Sequence, residues 1–206
     1  MGGGHAMWMV TAVMMVAAYL LGSISFGLLM GKWFLGVDIR QHGSGNAGAT
    51  NLSRLMGTGP GIVVLLLDGL KGFVPAFVTL KLTGGAYAAA MLVGIAAVIG
   101  HIWPVYFRFQ GGKGVATTIG VMLAISFWAT VIAGLLTLLV IAITRYVSVG
   151  SLLFVSLMPW LLLFFGRGWA VFVLSLALTG LVIWKHRENI RRLLQGEENR
   201  FGKRVR

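Results

Sequence analysis

The chain contains no cysteine, which excludes disulfides, a cysteine nucleophile and thiolate metal sites while saying little about compartment. Acidic residues are scarce as well, with five Asp and Glu against 17 Lys and Arg in 206 residues. Four histidines and five acids without clustered ligand spacing argue against a bound metal. Charged residues of both signs make up only 11% of the chain, hydrophobic residues 58%, and mean hydropathy is +0.90. A soluble domain carries roughly a quarter charged residues, so the composition implies an integral membrane protein. The formal charge of +12 then reads as cytoplasmic Lys and Arg attracted to anionic lipid, with no nucleic-acid partner implied. A cleavable signal-peptide pattern is absent too. The first apolar run, Met7 to Met30, lacks a basic leader and is long enough to span a bilayer. Met1–Ala6 reads as a vector-derived leader and is set aside from the fold reasoning.

What is present is a series of apolar runs of about 17 to 25 residues. The first extends from Met7 to about Gly31, and the second from about Pro60 to Leu82, interrupted by Asp68 and Lys71. A third covers Ala86 to about His101, and the last two are Leu152–Phe165 and Trp169–Trp184. Between them the run Thr118–Thr144 has a length that one tilted helix can use, but with Val115 and Ala116 it also suits two short helices and a tight turn, and only the second reading keeps the later loops on the sides that the positive-inside rule requires. The expected fold is all-α: a polytopic membrane protein of about seven transmembrane helices, forming a single domain over residues 7–206. A basic tail begins at about Lys185, and no soluble second domain is visible. With the N-terminus outside and the tail in the cytoplasm, all of the 17 Lys and Arg residues except Lys71, Lys81 and Arg167 obey the positive-inside rule. Residues 40–57, 101–117, 145–151 and 185–199 then share the cytoplasmic face, where a functional site is expected.

The chain is organised around Gly43-Ser44-Gly45-Asn46-Ala47-Gly48-Ala49-Thr50-Asn51, followed by Arg54. Glycines without Cβ atoms admit positive φ, so successive N–H groups can converge on one point. Ser44, Asn46, Thr50 and Asn51 add neutral polar groups, and Arg54 adds a guanidinium fork suited to phosphate. No acidic residue lies between Gly43 and Arg54, so the stretch has the chemistry of an anion cradle. A second island, Gly111-Gly112-Lys113-Gly114-Val115-Ala116-Thr117, leads into an apolar helix. It does not match the nucleotide-binding Gly-x-x-x-x-Gly-Lys-Ser/Thr pattern, and no cofactor is implied. Backbone donors, the Lys113 ammonium and a helix N-terminus favour an anion; a glycine hinge with a snorkelling lysine remains the other reading.

Further polar residues carry competing readings. His101 ends the third span and alone reads best as a hydrogen-bonded interfacial histidine. His186 and Asn189 fall on one helix face at i, i+3, within a tail that otherwise resembles a lipid-binding amphipathic segment. Asp68 and Lys71 have the same spacing inside a span, where charges are costly unless paired. They are either a structural lock or part of a site. Ser148 and Ser151, beside Arg145, can offer hydroxyls or simply cap helices, and Ser23 and Ser25 read as packing residues. His5 and His42 are assigned no role.

Taken together, these motifs resemble the bacterial acyl-phosphate:glycerol-3-phosphate acyltransferases over nearly the whole chain from Tyr19. The resemblance rests on Tyr19–Ile24, Val37–Arg40, Gly43–Asn51 with Arg54, and Asp68–Gly72. It continues through Gly100-His101, Pro104-Val105, Gly111–Thr117, Arg145–Ser148, and His186–Ile190 with Arg192-Leu193. It implies a seven-helix bacterial inner-membrane enzyme with its site at the cytoplasmic face. Such an enzyme transfers a fatty acyl group from acyl phosphate to the sn-1 hydroxyl of glycerol 3-phosphate, releasing lysophosphatidic acid and inorganic phosphate. Ser44 and Arg54 match the first family motif. Lys113 and its phosphate-binding glycines match the second, and His186 and Asn189 the third, with Glu188 structural.

An acyl phosphate is an activated mixed anhydride, so the enzyme mainly needs to position substrates and stabilise charge. The expected arrangement puts the acyl phosphate headgroup on the Gly43–Asn51 loop and glycerol 3-phosphate on Arg54, Lys113 and Asn189. Gly43, Gly45, Asn46, Thr50, Asn51, Lys71, Gly111, Gly112, Gly114, Thr117 and Ser148 are the further substrate-binding candidates. No Ser-His-Asp grouping is visible, and His186, His101 or a substrate phosphate oxygen can serve as base. No obligatory protein partner is expected beyond the two substrates and membrane lipid. An anion transporter would place polar groups on both faces and break its helices near the midplane. A transferase acting on nucleotide-activated lipid would need a dense acidic cluster for its metal.

Overall fold

The computed structural model describes residues 2–202, and all the regular elements among them are helical. The chain divides into two compact units, one ending at Ile125 and the other beginning at Ser126. Met1 and Lys203–Arg206, the ends of the expected leader and basic tail, lie outside the described residues.

The first unit contains α1 (Gly2–Gly22), α2 (Phe26–Met30), α3 (Ala49–Met56), α4 (Thr58–Leu82), α5 (Tyr87–Ile102) and α6 (Val115–Ile125). Gly2–Ala6 continues the first helix rather than preceding it. α1 stops at Ser23, whose N–H and hydroxyl both turn back to the Tyr19 carbonyl at 2.9 and 2.8 Å. After the break, α2 runs into a π-helical turn, Gly31–Leu35, that closes at Gly36 with φ 70°. Small residues set the helix crossings. A Cβ on Gly22 would strike the Ala97 carbonyl and one on Gly100 the Tyr19 carbonyl, so α1 and α5 touch backbone to backbone. Gly72 against the Thr117 carbonyl and Gly120 against the Gly69 carbonyl bring α4 and α6 equally close. In hydrocarbon, where burial of apolar surface drives no association, such close approach supplies the packing and interhelical contact.

The second unit contains α7 (Phe127–Thr144), α8 (Val147–Phe164), α9 (Trp169–Lys185) and α10 (Arg187–Leu194). Arg145 at φ 63° reverses the chain between α7 and α8. Thr179 donates to the Val155 carbonyl at 2.7 Å, tying α9 to α8. α10 bends 57° from α9, and the following tail returns to the α7–α8 turn, where the Phe201 N–H reaches the Arg145 carbonyl at 2.7 Å.

The long apolar run after Gly114 is two helices, α6 and α7, separated by Ser126 in extended conformation at φ −154° and ψ 94°. Among the described residues, five helical segments are long and apolar enough to cross a membrane, or six if α9 and α10 are counted as one bent span. α6 has 11 residues, about 16 Å at the helical rise per residue, which is shorter than a hydrocarbon core of about 30 Å. Burial distinguishes the spans: α5 is mostly buried and α7 mostly exposed. α5 is therefore a core element of its unit. α7 displays Leu135, Leu138, Leu139 and Ile143, the surface expected of a helix facing hydrocarbon.

Candidate active site

In the first unit the Gly43–Asn51 loop is built by its neighbours. Asp38 caps the short turn Ile39–Gln41 by accepting from the Arg40 N–H at 3.0 Å. Its carboxylate also grips the Arg40 guanidinium, with the shortest contact 2.6 Å, and this hydrogen-bonded partner holds the Asp38 carboxyl below its ordinary pKa. The far side of Arg40 donates to the carbonyls of Phe107 at 3.3 Å and Gln110 at 3.2 Å. One arginine thus joins the first polar stretch to the second. Gly43 and Gly45 take φ of 62° and 71°, the left-handed backbone expected of a loop whose N–H groups converge.

Asn51 has a different role from the one its composition suggests. It is fully buried, its Oδ1 accepts from the Ser44 N–H at 2.8 Å, and its Nδ2 donates to the carbonyls of Ile39 at 2.8 Å and His42 at 3.0 Å. Its side chain clamps the loop from within, and its amide hydrogens are committed to the protein. Ser44, Asn46, Thr50 and Arg54 are half-buried, while Gly43 and Gly45 are exposed, so these residues form the accessible side of the loop.

The second loop folds onto the end of α5. The Gly111 and Gly112 N–H groups donate to the carbonyls of Ile102 and His101 at 3.2 and 3.1 Å. Gly114 turns into α6 at φ 85°. Lys113 is half-buried at the mouth of α6, and Thr117 is fully buried with a hydroxyl that makes no hydrogen bond among the described residues. Beneath this loop lies a sealed charged cluster of Asp68, Lys71 and His101, which are 1%, 2% and 5% exposed. Lys71 Nζ sits 2.9 Å from Asp68 Oδ1 and donates to the Ile24 carbonyl at 2.8 Å. His101 Nδ1 is 3.7 Å from the same Asp68 oxygen. Lys71 and His101, named above among the substrate-binding and catalytic candidates, therefore face protein groups inside the unit.

The second unit gathers Ser148, Asn189 and Arg192 around one carboxylate that the sequence reading passed over, Glu198. Its Oε1 accepts from Ser148 Oγ at 3.0 Å and Asn189 Nδ2 at 2.7 Å, and its Oε2 accepts from Arg192 Nε at 2.8 Å. Burial pushes the Glu198 pKa up, but the hydrogen bonds from Asn189, Arg192 and Ser148 outweigh it and hold the carboxyl below its ordinary value. Glu188, expected to be the structural acid, is exposed instead. His186 Nδ1 lies 2.8 Å from the Val182 carbonyl. A carbonyl can only accept, so Nδ1 carries the proton, and in the neutral ring Nε2 keeps its lone pair. His186 and Asn189 are both buried, but His186 sits in the bend between α9 and α10 and only Asn189 lies on a helix, so the expected common helix face is replaced by a cap residue and the first turn after it. Among the described residues no group of three or more His, Asp or Glu side chains is arranged to hold a metal ion.

Comparison with known proteins adds an independent line of support. A family model described as glycerol-3-phosphate acyltransferase matches residues 12–196. A glycerol-3-phosphate acyltransferase of Halalkalibacterium halodurans is 50% identical over 198 residues, covering 93% of this chain and 95% of the relative. One of Aquifex aeolicus is 44% identical over 190 residues, covering 91% and 97%. The crystal structure of PlsY (YgiH), an integral membrane glycerol 3-phosphate acyltransferase in its glycerol 3-phosphate form, superposes with a TM-score of 0.89 at 42% identity, covering 93% of this chain and 96% of that one. The lysophosphatidic acid form of the same protein gives a TM-score of 0.87 at 42% identity, covering 93% and 95%.

Proposed function

The chain belongs to the glycerol-3-phosphate acyltransferase family, an acyltransferase of membrane phospholipid synthesis, and from that premise we propose that its donor is an acyl phosphate and its acceptor the sn-1 hydroxyl of glycerol 3-phosphate. The observation that carries the donor assignment is the pair of positive-φ glycine loops that Arg40 ties together in the first unit. The N–H groups of Ser44, Gly45, Gly111 and Gly112 are spent on protein acceptors, so what these loops offer an anionic headgroup is the accessible side chains of Ser44, Asn46 and Thr50 and the cations Arg54 and Lys113.

The Gly43–Asn51 loop, with Ser44, Asn46 and Thr50 on its accessible side, takes the acyl phosphate headgroup, and Asn51 holds that loop in shape. Arg54 and Lys113 are the cations for the phosphate of glycerol 3-phosphate. In the second unit, Ser148 and Asn189 are held by Glu198, and His186 by the Val182 carbonyl at the α9–α10 bend. The glycerol hydroxyl attacks the acyl carbonyl carbon, forming the ester C–O bond. Collapse of the tetrahedral intermediate breaks the bond from that carbon to the phosphate oxygen, and phosphate leaves with the electron pair. The hydroxyl proton passes to an oxygen of the departing phosphate. Fixed donors around the developing oxyanion supply most of the barrier reduction.

Seven crossings, with α6 counted as a short span, place the N-terminus outside and the polar loops in the cytoplasm of a bacterial inner membrane. That topology keeps all Lys and Arg residues except Lys71, Lys81 and Arg167 on the inner side. The acyl chain then lies between helices in hydrocarbon.

The test is turnover of labelled glycerol 3-phosphate by purified protein supplied with palmitoyl phosphate or palmitoyl-CoA. Product from the acyl phosphate alone, with stoichiometric phosphate release, supports the proposal. Product from the thioester reassigns the donor, and no product from either, in protein shown to be folded, overturns the reading. A Ser44→Ala variant that keeps an appreciable rate would exclude an obligatory acyl-serine.

A further inference from the structure

Asp68, Lys71 and His101 take no direct part in the acyl transfer just described, yet they form a buried charged cluster in the first unit. Charges within a transmembrane segment are costly and are kept where they serve a purpose. A buried ion pair is rarely more stabilising than well-packed apolar side chains. What it supplies is direction, because one carboxylate contacting two basic side chains constrains both.

Two arms leave Asp68. Along the first, Lys71 Nζ bridges from Asp68 Oδ1, 2.9 Å away, to the Ile24 carbonyl at 2.8 Å, inside the break between α1 and α2. The helix that starts after this break carries Gly27, where a Cβ would collide with the Ala47 carbonyl, so α2 rests directly on the middle of the Gly43–Asn51 loop. Along the second arm, His101 Nδ1 stands 3.7 Å from Asp68 Oδ1. The opposite ring nitrogen, Nε2, blocks the space a Cβ on Gly112 would need, and the Gly112 N–H donates to the His101 carbonyl at 3.1 Å. The imidazole is thus a floor under the Gly111–Thr117 loop.

We infer that Asp68 is a positioning residue shared by the two glycine loops, setting the first through Lys71 and the α1–α2 break and the second through His101 and Gly112. His101 in this arrangement is a buttress for the loop that carries Lys113 and not the base of the reaction. The inference rests on the proposed function in one respect, the assignment of acyl phosphate to the first loop and glycerol 3-phosphate to the second.

The arms make it testable by steady-state kinetics on the full-length protein, with both substrates varied. His101→Gln is expected to raise KM for glycerol 3-phosphate on the order of tenfold or more, the scale of a small misplacement of a binding group. It leaves KM for acyl phosphate within about twofold. Lys71→Gln gives the reverse pattern, and Asp68→Asn raises both values. Gly112→Ala and Gly27→Ala retain all three charged side chains and load each arm from the loop side, the first by pressing on the His101 ring and the second on the Ala47 carbonyl. They reproduce the patterns of His101→Gln and Lys71→Gln respectively, and they carry the test if the charge variants do not fold. A clean split with the two substrates exchanged upholds the role of Asp68 and reverses only the loop assignment. The inference falls if both arms move the same KM, or if the variants lose folded protein while their kinetic constants stay at wild-type values. It falls also if His101→Gln lowers kcat with both KM values unchanged, since His101 would then act in the chemistry. Failure of the donor assignment shows separately, as wild-type protein that makes no product from acyl phosphate.

Discussion

Asp68 and Glu198 are both carboxylates that gather side chains around themselves, and they do so under opposite conditions. Asp68 lies in the middle of α4, and its ion pair with Lys71 closes within one helical turn. Glu198 arrives on a tail beyond α10, and its donors Ser148, Asn189 and Arg192 come from two other elements and from 50, nine and six residues earlier. The first is a lock between two residues of one helix. The second is a clasp that forms only once the tail has come back. A lock sealed among helices is tested by removing its charges, whereas a clasp at the end of a bundle also responds to pH.

The largest effect is expected at the lock. Lys71→Met leaves the Asp68 carboxylate buried without its cation. The expected loss is about 3–5 kcal/mol, the cost of breaking a buried pair from one side, read as a lowered thermal midpoint in detergent. Replacing both residues, Asp68→Asn with Lys71→Met, should recover most of that stability while the loop-dependent KM values stay high. If the double variant is as unstable as the single one, the pair contributes net stability and is not there for direction alone.

Next comes the clasp. Glu198→Gln removes the charge that Arg192 faces and replaces one acceptor oxygen by a donor, leaving Asn189 Nδ2 or Arg192 Nε opposed to an N–H. A stability loss of about 1–3 kcal/mol is expected from the unsatisfied group, together with reduced turnover because Asn189 and Ser148 lose their common anchor. Unchanged kcat and KM in this variant would detach the clasp from the reaction.

The same carboxylate carries the pH dependence. Its folded pKa lies below the unfolded value, so between the two the folded state binds fewer protons than the unfolded state and stability rises with pH. The contribution is fully present above the ordinary glutamate pKa of about 4.3 and is lost as pH falls through the lower folded value. Thermal unfolding of wild type and Glu198→Gln compared at pH 6 and near pH 4 checks this. The gap between the two proteins should narrow at the lower pH, and a gap that widens would overturn the assignment.

The contrast between the two carboxylates also explains what could be read from the sequence. Asp68 and Lys71 stand out as charges three apart in an apolar run, and Gly43, Gly45 and Gly114 take the positive φ that their polar surroundings suggest. The break of the long apolar run into two helices follows from its length together with the charges of the loops that flank it, since length by itself also suits one tilted helix. All of these signals are local. Asn51 was legible as polar but not in its direction, because an amide in a glycine loop has the same sequence signature whether it faces a ligand or the Ser44 N–H. Arg40 pairs visibly with Asp38, but its reach to Phe107 and Gln110 spans about 70 residues and leaves no periodic trace. Glu198 was missed for the same reason, in a tail whose basic composition suggested a solvated, lipid-facing segment.

The smallest effect separates the two glutamates of the C-terminal region. Glu188 matches the third motif's acidic position by sequence, yet its side chain is exposed on α10, whereas Glu198 is 8% exposed and holds three donors. An exposed substitution away from a network shifts stability by about 0.5 kcal/mol or less. Glu188→Gln should therefore leave the thermal midpoint, kcat and both KM values at wild-type levels, in the same assays that register Glu198→Gln. If Glu188→Gln proved the more damaging of the two, the motif position would outweigh the geometry. The hydrogen bonds from Ser148, Asn189 and Arg192 to Glu198 would then be incidental to how the second unit holds its site.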